Sequence, residues 1–221
     1  MSDNAQLAPA PLNRAAMAAS VARDIPEGWY VNLGIGVPTL VADHVPVDRE
    51  VIFHSENGIL GFGPAPADPE ARDPWIINAG KQHVTLRTGS ALFHHADSFA
   101  IVRGGHLDLC VLGAFEVAQN GDFANWTVNA NAAPAVGGAM DLAVGAKRIW
   151  VVMDHVTKEG APRLVTRCSY PLTAQGVVTR VYTNLAVLDV AAEGFTVRDM
   201  IPGMTLEALQ NLTEAKLSLP A

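Results

Sequence analysis

A short, almost purely apolar run constrains the fold of this chain more than any other feature. Residues 148–154 read Arg-Ile-Trp-Val-Val-Met-Asp, so five consecutive apolar residues stand between two charged ones. A strand that is apolar on both faces must be covered on both faces, which is typical of the sheets of α/β proteins. The sequence therefore predicts a fully buried strand here.

Strand-like and helix-like segments alternate along the rest of the chain. Helices are expected at residues 13–23, 39–44, 91–102, 139–145 and 205–212, with Asn13 and Thr205 as the caps of the first and the last. Strands are expected at residues 29–33, 50–54, 75–78, 84–86, 107–112, 177–190 and 195–200, with a hairpin turn at Asn120-Gly121. This alternation predicts an α/β fold, with an open mixed, largely parallel sheet and flanking helices. We expect one domain at residues 13–213, between flexible tails at 1–12 and 214–221.

The composition argues against several partners and locations. The net charge is -7 and the isoelectric point about 5.4, so we expect neither nucleic acid nor a membrane as a partner. The chain has no apolar stretch of about 18 residues and no basic segment followed by an apolar run, which predicts a cytoplasmic protein. Cys110 and Cys168 lack a Cys-x-x-Cys spacing and are expected to be reduced core thiols.

The segment His54-Ser55-Glu56-Asn57-Gly58 follows directly on the apolar run 50–54. Because Asn57-Gly58 tolerates positive φ, the pattern predicts a buried strand that ends in a tight turn. Ligands bind at such strand ends in α/β sheets, and a partly shielded carboxylate there can attack an activated carbonyl. Glu56 is therefore a candidate nucleophile. The alternative is that it caps the free N–H groups of the following segment.

Glycine-rich turns supply further candidate binding residues. Gly34 and Gly36 lie between a predicted strand and a predicted helix, which resembles a phosphate cradle but also serves close packing. Gly137 and Gly138 leave N–H groups accessible at a helix start, which suits an oxyanion, although a steric need for glycine explains them equally well. Lys81 lies on a predicted turn, where it can meet a phosphate or a carboxylate or simply be solvated.

Several other chemistries find no support in the sequence. His94 and His95 are adjacent, do not share a helix face and have no partner at the spacing of a metal site, so no metal is expected. A Gly-x-Ser-x-Gly elbow and a Pro-Cys-x-x-Cys zinc motif are both missing. Asn125-Trp126 ends the predicted hairpin, where an amide and an aromatic ring can line a pocket.

Seven segments, taken in order, resemble the B subunit of the 3-oxoacid CoA-transferases. They are NLGIGVPTL at 32–40, SENG at 55–58, INAGK at 77–81, ADSFA at 96–100, RGGH at 103–106, GDFANW at 121–126 and GGAMDL at 137–142. The likeness covers about residues 13–213. The SENG motif, together with the other six segments in the same order, is highly specific. It favours a nucleophilic role for Glu56 over the capping role.

The resemblance implies a fold of the sugar-phosphate isomerase and CoA-transferase type, and a ping-pong transfer of CoA between two carboxylic acids. Glu56 matches the family's catalytic glutamate, which forms a mixed anhydride and then a glutamyl-CoA thioester. Gly138 matches a glycine whose N–H faces the thioester oxygen, and Lys81 matches a lysine associated with the CoA chain. The expected substrate- and CoA-binding set is completed by Asn57, Gly34, Gly36, Gly137 and Asn125.

The resemblance also implies an A subunit as partner in a hetero-oligomer, without which the chain should be inert. It implies no permanently bound cofactor, since a coenzyme A thioester is a substrate. Succinyl-CoA is the expected donor, and 3-oxoadipate or acetoacetate is the expected acceptor.

Two departures from the family pattern concern the binding of a second carboxylate or of the CoA phosphates, and the acceptor pocket. The family usually reads Pro-Gly-Lys-Met-Val-Lys-Gly ahead of the glycine pair, whereas residues 128–136 of this chain contain no lysine. Residues 93–96 read Phe-His-His-Ala, where the family often has an aromatic followed by small or acidic residues. Two other functions stay open: a sugar-phosphate-binding or isomerase domain with Glu56 as general base, and a non-catalytic assembly subunit.

Overall fold

The computed structural model describes residues 9–128 and 137–220, which form two sheets flanked by helices. The helices of this part are α1 (Arg14–Asp24), a 3-10 helix (Val37–His44), a second 3-10 helix (Pro69–Ala71), α2 (His95–Arg103), α3 (Ala139–Gly145) and α4 (Leu206–Asn211). The strands are β1 (Tyr30–Leu33), β2 (Ile52–Ser55), β3 (Ile59–Phe62), β4 (Leu86–Leu92), β5 (Leu109–Leu112), β6 (Glu116–Ala118), β7 (Phe123–Ala124), β8 (Ile149–Met153), β9 (Leu164–Val165), β10 (Val178–Thr183), β11 (Ala186–Ala191), β12 (Gly194–Met200) and β13 (Leu217–Ser218).

The larger sheet has ten strands in the order β13-β12-β11-β10-β8-β5-β1-β2-β3-β4. Its centre is parallel, because β10, β8, β5, β1 and β2 pair side by side in the same direction. Antiparallel strands extend it on both sides, with β3 and β4 on one and β11 and β12 on the other. The predicted α/β fold with a mixed, largely parallel sheet is confirmed.

Helices cover the central strands on both faces, as the apolar run at 149–153 requires. All five residues of β8 are buried. Val21 of α1 and Val41 of the first 3-10 helix belong to the core on one face, whereas Val102 of α2 and Leu142 of α3 belong to the core on the other. Successive side chains of a strand point to opposite faces, so a strand between two cores needs apolar residues throughout.

A smaller sheet, in the order β7-β6-β9, starts where the central sheet ends. Only residues 113–115 separate β5 from β6, so the small sheet begins at the carboxyl edge of the large one. The predicted hairpin is confirmed, since β6 and β7 pair antiparallel on either side of Asn120-Gly121.

Side-chain caps fix the ends of the first and last helices. Asn13 Oδ1 accepts a hydrogen bond from the Ala16 N–H at 2.9 Å, and Thr205 Oγ1 accepts one from the Ala208 N–H at 3.1 Å. Both residues were expected as caps, because a short polar side chain can satisfy an N–H group that the helix leaves free. No helix in the described ranges is both long and apolar enough to span a bilayer.

Two predictions around residues 75–95 are wrong. Residues 75–78 form no strand, because Asn78 closes a local turn instead. The Asn78 carbonyl accepts a hydrogen bond from the Lys81 N–H at 2.9 Å, and its side-chain oxygen accepts one from the Gln82 N–H at 3.0 Å. The helix expected from residue 91 begins at His95, because residues 86–92 form the edge strand β4, in which Ala91 pairs with Leu60 of β3. Most of β4 is exposed, so its sequence carries no apolar alternation.

The segment expected as a C-terminal tail contributes to the large sheet. Leu217 pairs with Phe195 of β12, and the Phe195 N–H donates to the Lys216 carbonyl at 2.9 Å. Ala215 and Leu217 are buried, so alternate apolar residues anchor this strand, which lies beyond the expected domain boundary at residue 213. Of the expected N-terminal tail, residues 1–8 lie outside the described ranges.

Candidate active site

A cleft of about 450 Å³ opens at the carboxyl edge of the large sheet. Gly34, Glu56 and Gly113 line it, and each of them follows directly on one of the adjacent parallel strands β1, β2 and β5. The strand order reverses at β1, which has β2 on one side and β5 on the other. Ligands of α/β proteins bind at such switch points. Trp126, two residues after β7, and Gly138 at the start of α3 form further walls.

Glu56 is the carboxylate of this cleft. Glu56 lies on a tight turn at the end of β2. A 2.9 Å hydrogen bond from the Gly58 N–H to the Ser55 carbonyl closes this turn. The side chain is half-buried, and this burial raises the pKa of the Glu56 carboxyl above its ordinary value, while the charge of His95 offsets part of the increase. A carboxylate that water solvates poorly is a better nucleophile than a fully hydrated one.

The start of α3 lies directly against the Glu56 carboxylate. A Cβ added to Gly138 would lie 2.5 Å from Glu56 Oε2 and 2.7 Å from Phe99 Cζ. Gly138 has φ -87° and ψ 0°, which is open to other residues, so close approach rather than backbone strain requires glycine here. At Gly138, therefore, there is no room for a Cβ because the backbone lies close to the Glu56 carboxylate.

A buried chain of hydrogen bonds fixes the end of β2 behind Glu56. The Asn32 side-chain amide donates to His54 Nδ1 at 3.0 Å and to the His54 carbonyl at 3.2 Å. Because an amide NH₂ can only donate, the imidazole proton lies on Nε2, which donates to Ser98 Oγ at 2.9 Å. Burial lowers the pKa of His54 to about 4, so the ring is neutral at physiological pH. These contacts join β1, β2 and α2 beneath the turn that carries Glu56.

A second set of hydrogen bonds holds the turn at residues 78–81 beside the same strand end. Asn57 Nδ2 donates to the Ile77 carbonyl at 2.7 Å, and the Ala79 N–H donates to Ser55 Oγ at 2.9 Å. Ala79 consequently lines the cleft. Lys81, two residues further on, is exposed and has a φ of 63°.

The structure brings most of the expected site residues together. Five of them line the cleft, namely Glu56, Gly34, Gly137, Gly138 and Asn125. Three do not line it, namely Gly36, Asn57 and Lys81, which lie on the turns beside it. Residues 129–136, where the family pattern has its lysines, lie outside the described ranges.

Three features of this site were not expected from the sequence. Asn32 of β1 and His54 of β2 lie opposite each other in the parallel pairing of these strands. Each is a polar residue in an apolar strand, and this signal could have suggested the pair. His95, whose Nδ1 lies 2.8 Å from the Glu56 carbonyl, was considered in the sequence only as a metal ligand and as a departure from the family pattern. Arg163, just ahead of β9, also lines the cleft, and no pattern in the sequence pointed to it.

Comparison with known sequences identifies the family. The sequence model described as Coenzyme A transferase matches residues 14–211. The chain is 56% identical over 207 residues to the B subunit of the 3-oxoadipate CoA-transferase of Acinetobacter baylyi, covering 93% of this chain and 95% of that protein. It is 43% identical over 206 residues to the B subunit of the succinyl-CoA:3-ketoacid coenzyme A transferase of Helicobacter pylori, covering 93% of this chain and 99% of that protein.

The fold is shared with an acyl-CoA transferase of Escherichia coli O157:H7, at a TM-score of 0.74 and 20% identity. The likeness covers 96% of this chain and 43% of that longer chain, and at this identity it concerns the fold alone. The matched residues, 14–211, include the cleft, the helices and every strand of the large sheet except β13. This chain belongs to the coenzyme A transferase family.

Proposed function

We propose that this chain is the B subunit of a CoA-transferase that moves CoA from an acyl-CoA to a 3-oxo acid through Glu56. The observation that carries the proposal is a half-buried carboxylate with a raised pKa at the carboxyl edge of the sheet, in close contact with the backbone of Gly138. The names of the relatives support the substrate class: one acts on 3-oxoadipate and another pairs succinyl-CoA with a 3-ketoacid.

Transfer proceeds through two half-reactions. The Glu56 carboxylate attacks the thioester carbonyl of the donor, the thiolate of CoA leaves, and a mixed anhydride links Glu56 to the donor acyl group. The thiolate then attacks the glutamyl carbonyl of the anhydride, which releases the donor acid and leaves CoA on Glu56 as a thioester. The acceptor carboxylate attacks this thioester, and the thiolate returns to the acceptor acyl carbon, so that acyl-CoA leaves and Glu56 is regenerated.

Each of these steps passes through a tetrahedral oxyanion, which needs a fixed hydrogen-bond donor. In our proposal the Gly138 N–H is such a donor, and one donor of this kind contributes roughly 3 kcal/mol to lowering a barrier. The anhydride and the thioester must also be protected from hydrolysis. The apolar cleft residues Leu33, Leu112 and Phe115 limit the water around them.

An A subunit completes the enzyme in this proposal. Both relatives named above are B subunits, and the cleft of the present chain is open to solvent, so a partner can complete the CoA channel. The CoA thioester is a substrate rather than a permanently bound cofactor. In this proposal Lys81, which is exposed on the turn beside the cleft, contacts the CoA chain. The cytoplasmic location expected from the sequence stays a prediction.

Trapping the covalent intermediate tests the proposal directly. The complex with its A subunit is incubated with succinyl-CoA, treated with hydroxylamine or borohydride, digested, and analysed by mass spectrometry. We expect the modification on the peptide that carries Glu56, at Glu56 itself. Modification of a different residue would overturn the mechanism, and turnover of a phosphosugar without any adduct would favour the isomerase alternative.

Replacing the nucleophile should separate activity from stability. Glu56→Gln should lower kcat by at least about 1,000-fold, as expected for loss of a group that forms the covalent intermediate. A carboxyl whose pKa is raised on folding binds its proton more tightly in the folded chain, so its ionised form at neutral pH opposes folding. The variant should therefore unfold at pH 7 at the same or a higher temperature than wild type, measured by calorimetry. Wild-type turnover in this variant would make the chain a non-catalytic subunit.

The pH profile should depend on His95. Because Glu56 must be ionised to attack, kcat/KM should fall as the pH decreases through its raised pKa. His95→Gln removes the positive charge that offsets this increase, so the acid limb should move to higher pH. His94→Asn is the matched control, because asparagine keeps the cap that His94 provides to the Ala96 N–H. An acid limb unchanged by His95→Gln would show that the His95 charge does not reach Glu56.

The contact between Gly138 and Glu56 predicts a selective loss of catalysis. Gly138→Ala places a methyl group against Glu56 Oε2 and must displace the carboxylate, whereas the backbone angles accept alanine without strain. A displacement of about 1 Å can lower the rate by 10²-fold, so we expect kcat to fall by about 100-fold with little change in melting temperature. Full activity in this variant would disprove the close approach of the two groups.

A further inference from the structure

Two charged residues are among the described residues that line the cleft. Of the described residues that line it, Arg163 alone carries a positive charge, and Glu56 alone carries a negative one. Two backbone hydrogen bonds fix the position of Arg163. Its N–H donates to the His155 carbonyl at 3.1 Å, and its carbonyl accepts from the Val117 N–H at 2.9 Å. Arg163 is therefore fixed to the small sheet, whereas Glu56 is fixed to the large one.

The Arg163 side chain is half-buried beside the cleft. In residues 9–128 and 137–220 its guanidinium group forms neither an ion pair nor a hydrogen bond. By contrast, Arg103 pairs with Asp141 at 2.8 Å in the interface of α2 and α3. A guanidinium group has five N–H donors and binds a carboxylate with two of them in parallel. Its place in the cleft wall suits an anionic ligand.

The proposed substrates contain such an anion. Only one carboxyl group of a dicarboxylic acid exchanges with CoA, so the other stays ionised when the acyl group enters the cleft. A carboxylate removed from water needs a charged partner. Residues 128–136 contain no lysine, and Lys81 does not line the cleft, so neither supplies that partner from the cleft wall.

We infer that Arg163 binds the second carboxylate of a dicarboxylic acyl group and thereby selects dicarboxylic over monocarboxylic acids. The inference rests on the proposed function and deepens it by naming the specificity-determining residue. Phosphate groups of CoA are also anions, but the long pantetheine arm separates them from the thioester carbon that must reach Glu56. The cleft around Glu56 and Arg163 therefore receives the acyl end of the substrate.

A matched pair of acceptors tests this inference. 3-Oxoadipate and 3-oxohexanoate have the same chain length and differ only in that a methyl group replaces the second carboxylate. The complex of this chain with its A subunit is assayed with succinyl-CoA as donor, because kcat/KM for the acceptor in a ping-pong scheme does not depend on the donor half-reaction. The variants are Arg163→Gln and Arg163→Lys, with Arg167→Gln as an exposed arginine control outside the cleft.

Arg163→Gln should lower kcat/KM for 3-oxoadipate by roughly 10- to 100-fold, mainly through KM, as expected for loss of a charge-assisted hydrogen-bond pair. Its kcat/KM for 3-oxohexanoate should stay the same or rise, so the preference between the two acids collapses. Arg163→Lys should retain part of the preference, because it keeps the charge but not the paired donors. Arg167→Gln should keep the wild-type preference.

An equal loss for both acids would overturn the inference. If that loss disappeared when succinyl-pantetheine replaced succinyl-CoA, Arg163 would instead contact a phosphate group of CoA. If Arg163→Gln does not assemble with the A subunit, the preference measured with Arg163→Lys decides, and an unchanged preference there disproves the role. A wild-type complex that transfers CoA to neither acid would disprove the proposed function itself, independently of Arg163.

Discussion

The close approach of the Glu56 carboxylate to the backbone of Gly138 is the contact on which the rest of the site depends. It joins two elements far apart in the sequence, the tip of β2 and the start of α3, with Phe99 of α2 beside them. The Arg103–Asp141 ion pair connects α2 to α3, and the Asn32–His54–Ser98 hydrogen bonds connect β1 and β2 to α2. The carboxylate is therefore held from behind and from the side before any substrate arrives.

This arrangement explains why buried polar groups lie beneath an otherwise apolar sheet. His54 is neutral and uses both ring nitrogens in hydrogen bonds, so it introduces no charge that would compete with Glu56. Cys110 also belongs to this layer: it is a free, fully buried thiol that donates to Asn32 Oδ1 at 3.5 Å, and burial raises its pKa. The ionised groups are kept at the cleft surface, where they can act on a ligand.

The sequence predicted those parts of the molecule that depend on local patterns. The apolar run of β8, the caps Asn13 and Thr205, and the turn that carries Glu56 each leave a signal within a few residues. Non-local pairing leaves no such signal, which is why the exposed edge strand β4 and the late start of α2 were missed. Arg163 was missed for the same reason, since only the packing of the small sheet against the large one brings it to the cleft.

The position of β4 at the border of the ten-stranded sheet has a consequence for the behaviour of the chain in solution. A border strand offers free N–H and C=O groups to which another copy of the chain can add in a growing aggregate. Gly89, with a φ of 86°, interrupts the regular backbone in the middle of β4, and Arg87 adds a charge. Both features disfavour the flat, continuous strand pairing that the growth of an aggregate requires. They therefore protect the β4 edge of this open sheet.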